Sequence, residues 1–371
     1  MGRSDERLSW LLAAGVALIS LATWPPLPLR GAQVADIVGV AGAALVLVAS
    51  RPPLARVLGL GSYALAACIA GGSVLRLAGY GWLVVLALAV SVADPRPVRR
   101  ALVVAAMIGA LTGLAGAALY FAGHPTALLN IAGDLVPGDY PRIRGTMLRA
   151  NALAGLLATG LLLLGEIPRR WRIPIGATLA VALVFTFSRS WIALAAATAV
   201  YALVLDEHHT RKRDVLAAAI VLAAVAAMLA VSWLNVRLDP TRPWAIEIVP
   251  GAGTRWIHLC DAWTTIAAHP LGVGAGTAAT ADGWDAHFTL ANIAAVIGIP
   301  AALAFAAIVG YALVRTVRAA RVGDRDARAI AAALVLFCVD ALARDVEDQR
   351  ALWVLLGLAF GRAVRHLQRG D

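Results

Sequence analysis

Residues 94–122 read Asp94-Pro-Arg-Pro-Val-Arg-Arg100 and then Ala101-Leu-Val-Val-Ala-Ala-Met-Ile-Gly-Ala-Leu-Thr-Gly-Leu-Ala-Gly-Ala-Ala-Leu-Tyr-Phe-Ala122. A short basic loop leads into 22 residues without a charge. As a helix, such a run is long enough to cross a hydrocarbon core of roughly 30 Å. The same pattern recurs on both sides of it. Apolar runs lie at about 8–24, 34–50, 54–72, 74–93, 151–166, 172–187, 190–205, 214–234, 289–314, 328–343 and 351–364. With 101–122 that predicts an all-α, polytopic integral membrane protein of about twelve transmembrane helices, with 1–371 as a single transmembrane domain.

Composition agrees with this class. Of 371 residues, 61% are hydrophobic and 15% charged, and the mean hydropathy is +0.79. A soluble domain has about 25% charged residues. A soluble enzyme, a disordered tail and a disulfide scaffold are excluded. The three cysteines are far apart, Cys68 and Cys338 within apolar runs and Cys260 in a loop, and form no metal-binding spacing. Arg3 and Arg7 followed by an apolar run resemble a secretion signal. Thr23-Trp24-Pro25-Pro26 is no small-residue cleavage site, so the run is expected to stay as the first span.

The net charge of +10 would suggest nucleic acid in a soluble protein. Here it follows the positive-inside rule, and no nucleic-acid partner is expected. Taking alternate loops as cytoplasmic puts 21 of the 32 basic residues on that side, in short segments such as 94–100. Both termini are then cytoplasmic and the lipid bilayer is the obligate partner. The other side carries two long loops, about 123–150 and about 235–287. A loop of that length is more often functional than accidental. Within the second, an amphipathic helix is expected over about 254–268. Trp256, Leu259, Cys260, Trp263 and Ile266 share one face, and Arg255, His258 and Thr265 another.

Against positive-inside pressure, external arginines are informative. Arg142, Arg144 and Arg149 cluster before a span, and Arg189 lies between two spans with almost no loop. The bland reading of Arg189 is a snorkelling side chain beside interfacial Trp191. The functional reading is an anionic partner, since guanidinium pairs bidentately with phosphate. His258, His269 and His287 all fall in the larger loop, and His287 closes it, with Asp285 two residues away as a candidate orienting group. An interfacial polar residue and a proton-transfer group are both open for His287. Gly272-Val-Gly-Ala-Gly276 follows no strand and is no dinucleotide fingerprint. It reads as a backbone turn whose amides could approach an anion. Trp244, Trp256, Trp263 and Trp284 suit either an interface belt or sugar stacking.

Together, several of these segments resemble the O-antigen ligase and polymerase superfamily of bacterial membrane glycosyltransferases. Arg144-Gly-Thr-Met-Leu-Arg-Ala-Asn-Ala-Leu-Ala154 resembles its basic–Gly–Thr–aromatic and Asn–x–x–Ala segment, with Met147 for the aromatic and Ala150 for a proline. Thr186-Phe-Ser-Arg-Ser190 resembles its Thr–x–Ser–Arg–small motif. Arg255-Trp256 with His269-Pro-Leu-Gly-Val-Gly274 resembles the opening of its large loop. Asp285-Ala-His-Phe-Thr-Leu290 resembles the closing His–Asn–x–x–Leu, with Phe288 for the asparagine and Asn292 nearby. The likeness covers about residues 140–300.

The resemblance implies a GT-C-like fold and transfer of a glycan from a polyprenyl-diphosphate donor to a lipid, glycan or protein acceptor. The reaction would take place at the outer face of the cytoplasmic membrane, with no metal and no cofactor. Arg189 and Arg255 would bind the diphosphate, and His287 would activate the acceptor hydroxyl. Arg142 and Arg144 would hold the donor phosphate or first sugar, and Asn151, His269, Gly272 and Gly274 complete the implied substrate site. The rival expectation is a small-anion, bicarbonate-like transporter, which should show broken helices and inverted repeats. A structural scaffold does not explain the external arginines.

Overall fold

The computed structural model describes residues 3–21, 34–124, 126–130, 142–203, 210–237, 252–280, 283 and 285–367. Among them the chain is mostly helical. The helices are α1 (Arg3–Ala17), α2 (Val34–Ala49), α3 (Leu54–Ala70), α4 (Val74–Val92), α5 (Pro95–Phe121), α6 (Ala150–Leu162) and α7 (Arg169–Phe185). They continue with α8 (Ser190–Leu203), α9 (Arg211–Arg237), α10 (Ala252–Ala268), α11 (Thr289–Ile297), α12 (Ile299–Arg321), α13 (Arg325–Asp340) and α14 (Arg350–Leu367). The strand content among the described residues is one antiparallel pair, β1 (Leu129–Asn130) with β2 (Arg142–Ile143).

Each apolar run read from the sequence carries helix. Among the described residues, three helices are long and apolar enough to cross a membrane: α4, α5 and α12. The outward faces fit hydrocarbon rather than water, with Val48 80%, Val184 69% and Leu303 65% exposed. Inside, the helices meet through small residues. On α14, a Cβ at Gly357 would stand 2.6 Å from the Ala87 carbonyl oxygen, and one at Gly361 2.5 Å from that of Ser91. Larger residues there would push α14 off α4.

One predicted span is broken. The run 289–314 divides at Gly298 (φ 93°) into α11 and α12. Backbone from 270–276 fills the break. Val273 N–H donates to Ala295 O at 3.0 Å, Gly274 N–H to Val296 O at 2.9 Å, and Ile299 N–H to Pro270 O at 2.9 Å. The same segment pairs Ala275 with Gly72 as an isolated parallel bridge.

The predicted amphipathic helix falls on α10. His258, Ala262 and Ile266 are buried, whereas Trp263 is 58% exposed. The buried stripe thus takes His258 from one of the two faces and Ile266 from the other.

Linked helix termini alternate between two ends. At one end Arg99 on α5 pairs with Glu166 after α6 at 2.7 Å and with Asp326 on α13 at 2.9 Å. At that end too, Arg321 on α12 pairs with Asp214 on α9 at 3.5 Å. This is the end that the sequence makes basic. At the other end Arg350 grips Asp36 with Nε at 2.7 Å and Nη2 at 2.6 Å, tying α14 to α2, and Trp82 Nε1 donates to the same carboxylate at 2.7 Å.

Candidate functional site

Four segments converge at the end opposite the basic loops: 142–151, 186–190, 285–292 and 340–350. Arg142, on β2, is 8% exposed. Its Nε donates to Thr186 O at 2.7 Å and its Nη2 to Asn151 Oδ1 at 2.5 Å. The α7–α8 turn is thereby held from below. Ser188 and Ser190 hydroxyls lie 3.1 Å apart, and Ser190 Oγ donates to Asp340 Oδ2 at 3.1 Å. Arg344 donates to both Asp340 Oδ2 and Asn151 O. A chain of polar contacts thus runs Thr186–Arg142–Asn151–Arg344–Asp340–Ser190, and half-buried Arg189 sits inside that turn.

The segment 285–292 joins the same assembly. Thr289 Oγ1 donates to Arg344 O at 2.8 Å and accepts from Val346 N–H at 3.1 Å. Asn292 Oδ1 accepts from Ala286 N–H at 3.2 Å, and its Nδ2 donates to Glu347 Oε1 at 2.8 Å. These contacts fix the backbone on both sides of His287. Its imidazole Nδ1 lies 3.8 Å from Asp345 Oδ2, and its ring centroid 5.8 Å from that of His258. Asp345 thus brings a carboxylate to His287. Asp285, the sequence candidate for that role, forms an ion pair with Arg149 at 3.2 Å.

Electrostatics at this end are crowded with acid. Burial pushes the Glu347 carboxyl well above its ordinary range, and Asp345 and Asp348 push it further. Desolvation works against the Arg149 charge, but Asp348, Asp285 and Asp345 outweigh it and hold its guanidinium above the ordinary value. Among the described residues, no group of three His, Cys, Asp or Glu side chains is placed to hold a metal ion.

Backbone strain marks the same two segments. Among the described residues, the non-glycine residues with positive φ are Phe187 (47°) and His287 (54°). Bulky side chains rarely adopt that conformation, and surrounding structure must enforce it. Here the clamp comes from Arg142 on one side and from Thr289 and Asn292 on the other.

Of the residues singled out from sequence, Arg142, Asn151, Arg189 and His287 are brought together. Arg144 instead fastens its own connection between α5 and α6, through Ala127 O at 2.9 Å and Leu148 O at 3.3 Å. His269 is exposed beyond α10. Gly272 and Gly274 belong to the backbone splice, and their amides donate to His269 O and Val296 O rather than facing an anion. Arg255 lies on α10, one turn before His258, with its side chain outside the described residues. Trp244, Trp284 and the Trp256 side chain also lie outside them.

Sequence reading missed Asp340, Arg344, Asp345 and Glu347. A signal was there: six charged residues fall between 340 and 350, joining two apolar runs. Such a run of charge between two apolar segments is where paired, buried groups are to be sought. No protein-family model and no curated protein matches the chain.

Proposed function

We propose that the chain is a membrane glycosyltransferase of the O-antigen ligase or polymerase kind, GT-C-like and with about twelve spans. It moves a glycan from a polyprenyl-diphosphate carrier to an acceptor hydroxyl. The basic end faces the cytoplasm, with both termini, and the His287 end faces outward. The observation that carries the reading is His287 with Asp345 behind it, in one hydrogen-bonded assembly with the turn that presents Arg189.

In this reaction the acceptor oxygen attacks the anomeric carbon, the carbon–oxygen bond to the diphosphate breaks, and the hydroxyl proton goes to His287. Nδ1 faces Asp345, and Nε2 is the nitrogen assigned to the hydroxyl proton. The carboxylate favours the imidazolium as it forms. Arg189 and Arg255 neutralise the diphosphate leaving group. Arg142 changes role from the sequence expectation: buried and already hydrogen-bonded, it positions the 186–190 turn. Arg149, with its side chain 62% exposed, is the accessible cation in its place.

The break at Gly298 favours a second reading, a small-anion transporter, since transporters use discontinuous helices. Against it, the carbonyls at Ala295 and Val296 accept from the Val273 and Gly274 amides, so these two already serve the backbone splice. The deciding assay is glycan transfer by purified protein from a lipid-linked donor, with EDTA present. His287→Ala should lose about 10²–10⁴-fold in turnover while still binding donor. Arg189→Lys, which keeps charge but loses the planar fork, should fall far below the exposed control Arg76→Lys. Near-normal transfer by His287→Ala overturns the base assignment. Anion flux in proteoliposomes without any transfer supports the transporter.

A further inference from the structure

Arginines at the basic end have two kinds of setting. Arg99 and Arg321 have carboxylate partners. Arg56 and Arg315 have none among the described residues. Arg56, in the first turn of α3, is 9% exposed. Its Nη1 donates to Ser91 O at 2.9 Å and stands 3.5 Å from Ser91 Oγ, in the last turn of α4. Arg315 lies on α12, which packs against α3. It donates from Nη1 to the Tyr311 hydroxyl at 3.0 Å, with its guanidinium carbon 5.2 Å from the Tyr311 ring centroid. Both cations rest on neutral groups, and α14 links them: the Tyr311 ring packs on Phe360 at 5.3 Å, and a Cβ at the next residue, Gly361, would stand 2.5 Å from the Ser91 carbonyl oxygen that holds Arg56.

Buried charges are as a rule paired or ion-bound. Two neighbouring guanidiniums on neutral partners leave a demand that a single anion meets. Their forks match phosphate oxygens. The surface around them is apolar, with Leu54 and Leu58 exposed on α3 and Tyr311 and Val314 on α12. That surround favours a phosphate borne on hydrocarbon. We propose that Arg56 and Arg315 form a phosphate-binding site between α3, α4 and α12, at the end of the bundle away from His287. The site stands apart from the glycosyl-transfer reading and holds whether or not that reading does.

The test uses the full-length protein in detergent, where no charged bilayer surface attracts the other arginines. Phosphatidylglycerol, phosphatidylcholine and inorganic phosphate are titrated separately, with adducts counted by native mass spectrometry. Wild type should prefer phosphatidylglycerol to phosphatidylcholine, and Arg315→Gln should weaken that binding about tenfold, as loss of a charged hydrogen-bond partner does. Arg315→Lys should fall between the two, and Arg318→Gln, on the exposed face of α12, should match wild type. The double variant Arg56→Gln/Arg315→Gln should lose the preference. If it does not fold, Arg315→Gln decides alone, because Arg315 is only half-buried. Binding of inorganic phosphate with no lipid preference keeps the phosphate site and assigns it to a soluble ligand. Equal phosphatidylglycerol binding by wild type and Arg315→Gln, or no binding of either phosphate probe, overturns the proposal.

Discussion

At the basic end, Arg99 is 2% exposed in its side chain and has two carboxylates within 2.9 Å, one of them, Asp326, 38% exposed. At the other end, Arg344 and Asp340 are both buried, at 6% and 2% exposure, and their remaining contacts go to Asn151, Ser190 and Thr289. The first arrangement ties α5, the 164–166 turn and α13 together with charge near the surface. The second routes the same kind of ion pair into the loops that hold His287 and Arg189. At the basic end the pair joins helices; at the other end, where Arg350 and Asp36 also tie α14 to α2, the Arg344–Asp340 pair reaches into the loops around His287 and Arg189.

Removing the two arginines breaks the comparison with the largest effect. Arg344→Met leaves the Asp340 carboxylate buried without its cation, a loss of about 3–5 kcal/mol for a buried pair. Arg99→Met should cost less, because Asp326 can turn to water. Melting in detergent measures both. Transfer per folded molecule should collapse in Arg344→Met and persist in Arg99→Met. Adding Asp340→Leu to Arg344→Met should restore melting, since an apolar pair of similar size often replaces a buried ion pair without loss. It should not restore transfer. Equal transfer by the two single variants would make both ends merely structural.

The helices were legible because each apolar run carries its own signal, as 101–122 does in α5. The basic end was legible too, in the run Arg96, Arg99 and Arg100. Within the site, Arg142, Arg189 and His287 stood out as charge or histidine where the pattern had no use for it. Asp345 escaped because Asp285 is nearer in sequence, whereas the fold brings in a carboxylate 58 residues further on, between α13 and α14. The break at Gly298 escaped because apolar character continues across it. In α10, periodicity gave two stripes but not the buried one, which takes His258 from one and Ile266 from the other.

A smaller effect sharpens the contrast between the site and its scaffold. Gly272 has φ 92°, and a Cβ there would stand 2.6 Å from both Gly298 N and Val296 O. Gly272→Ala should destabilise by about 1–3 kcal/mol, the range for an unfavourable backbone conformation. Gly310→Ala on α12, where a Cβ meets nothing within 4 Å, should be neutral or gain about 0.5–1 kcal/mol. If the 270–276 segment only supports the fold, donor KM stays constant in folded Gly272→Ala. A raised KM with unchanged melting would return its amides to the anion-binding role.

A pH-dependent effect comes from proton linkage at Glu347. Each carboxylate of the Arg99 cluster has a guanidinium, but Glu347 is held by Asn292, and burial among Asp345 and Asp348 raises its proton affinity well above the ordinary value of 4.5. A folded-state value above the unfolded one means that the native protein binds the extra proton. Its stabilising contribution is complete below pH 4.5 and is lost as pH rises toward the folded value, with a slope of at most about 1.4 kcal/mol per pH unit. Glu347→Gln keeps an oxygen to accept from Asn292 Nδ2 but has no proton to release. Between about pH 5 and 8, the window above an ordinary carboxyl value, the melting temperature of wild type should fall more steeply than that of Glu347→Gln. Parallel curves would mean that Glu347 is ionised in the fold, and that the acid end meets its charge as the basic end does.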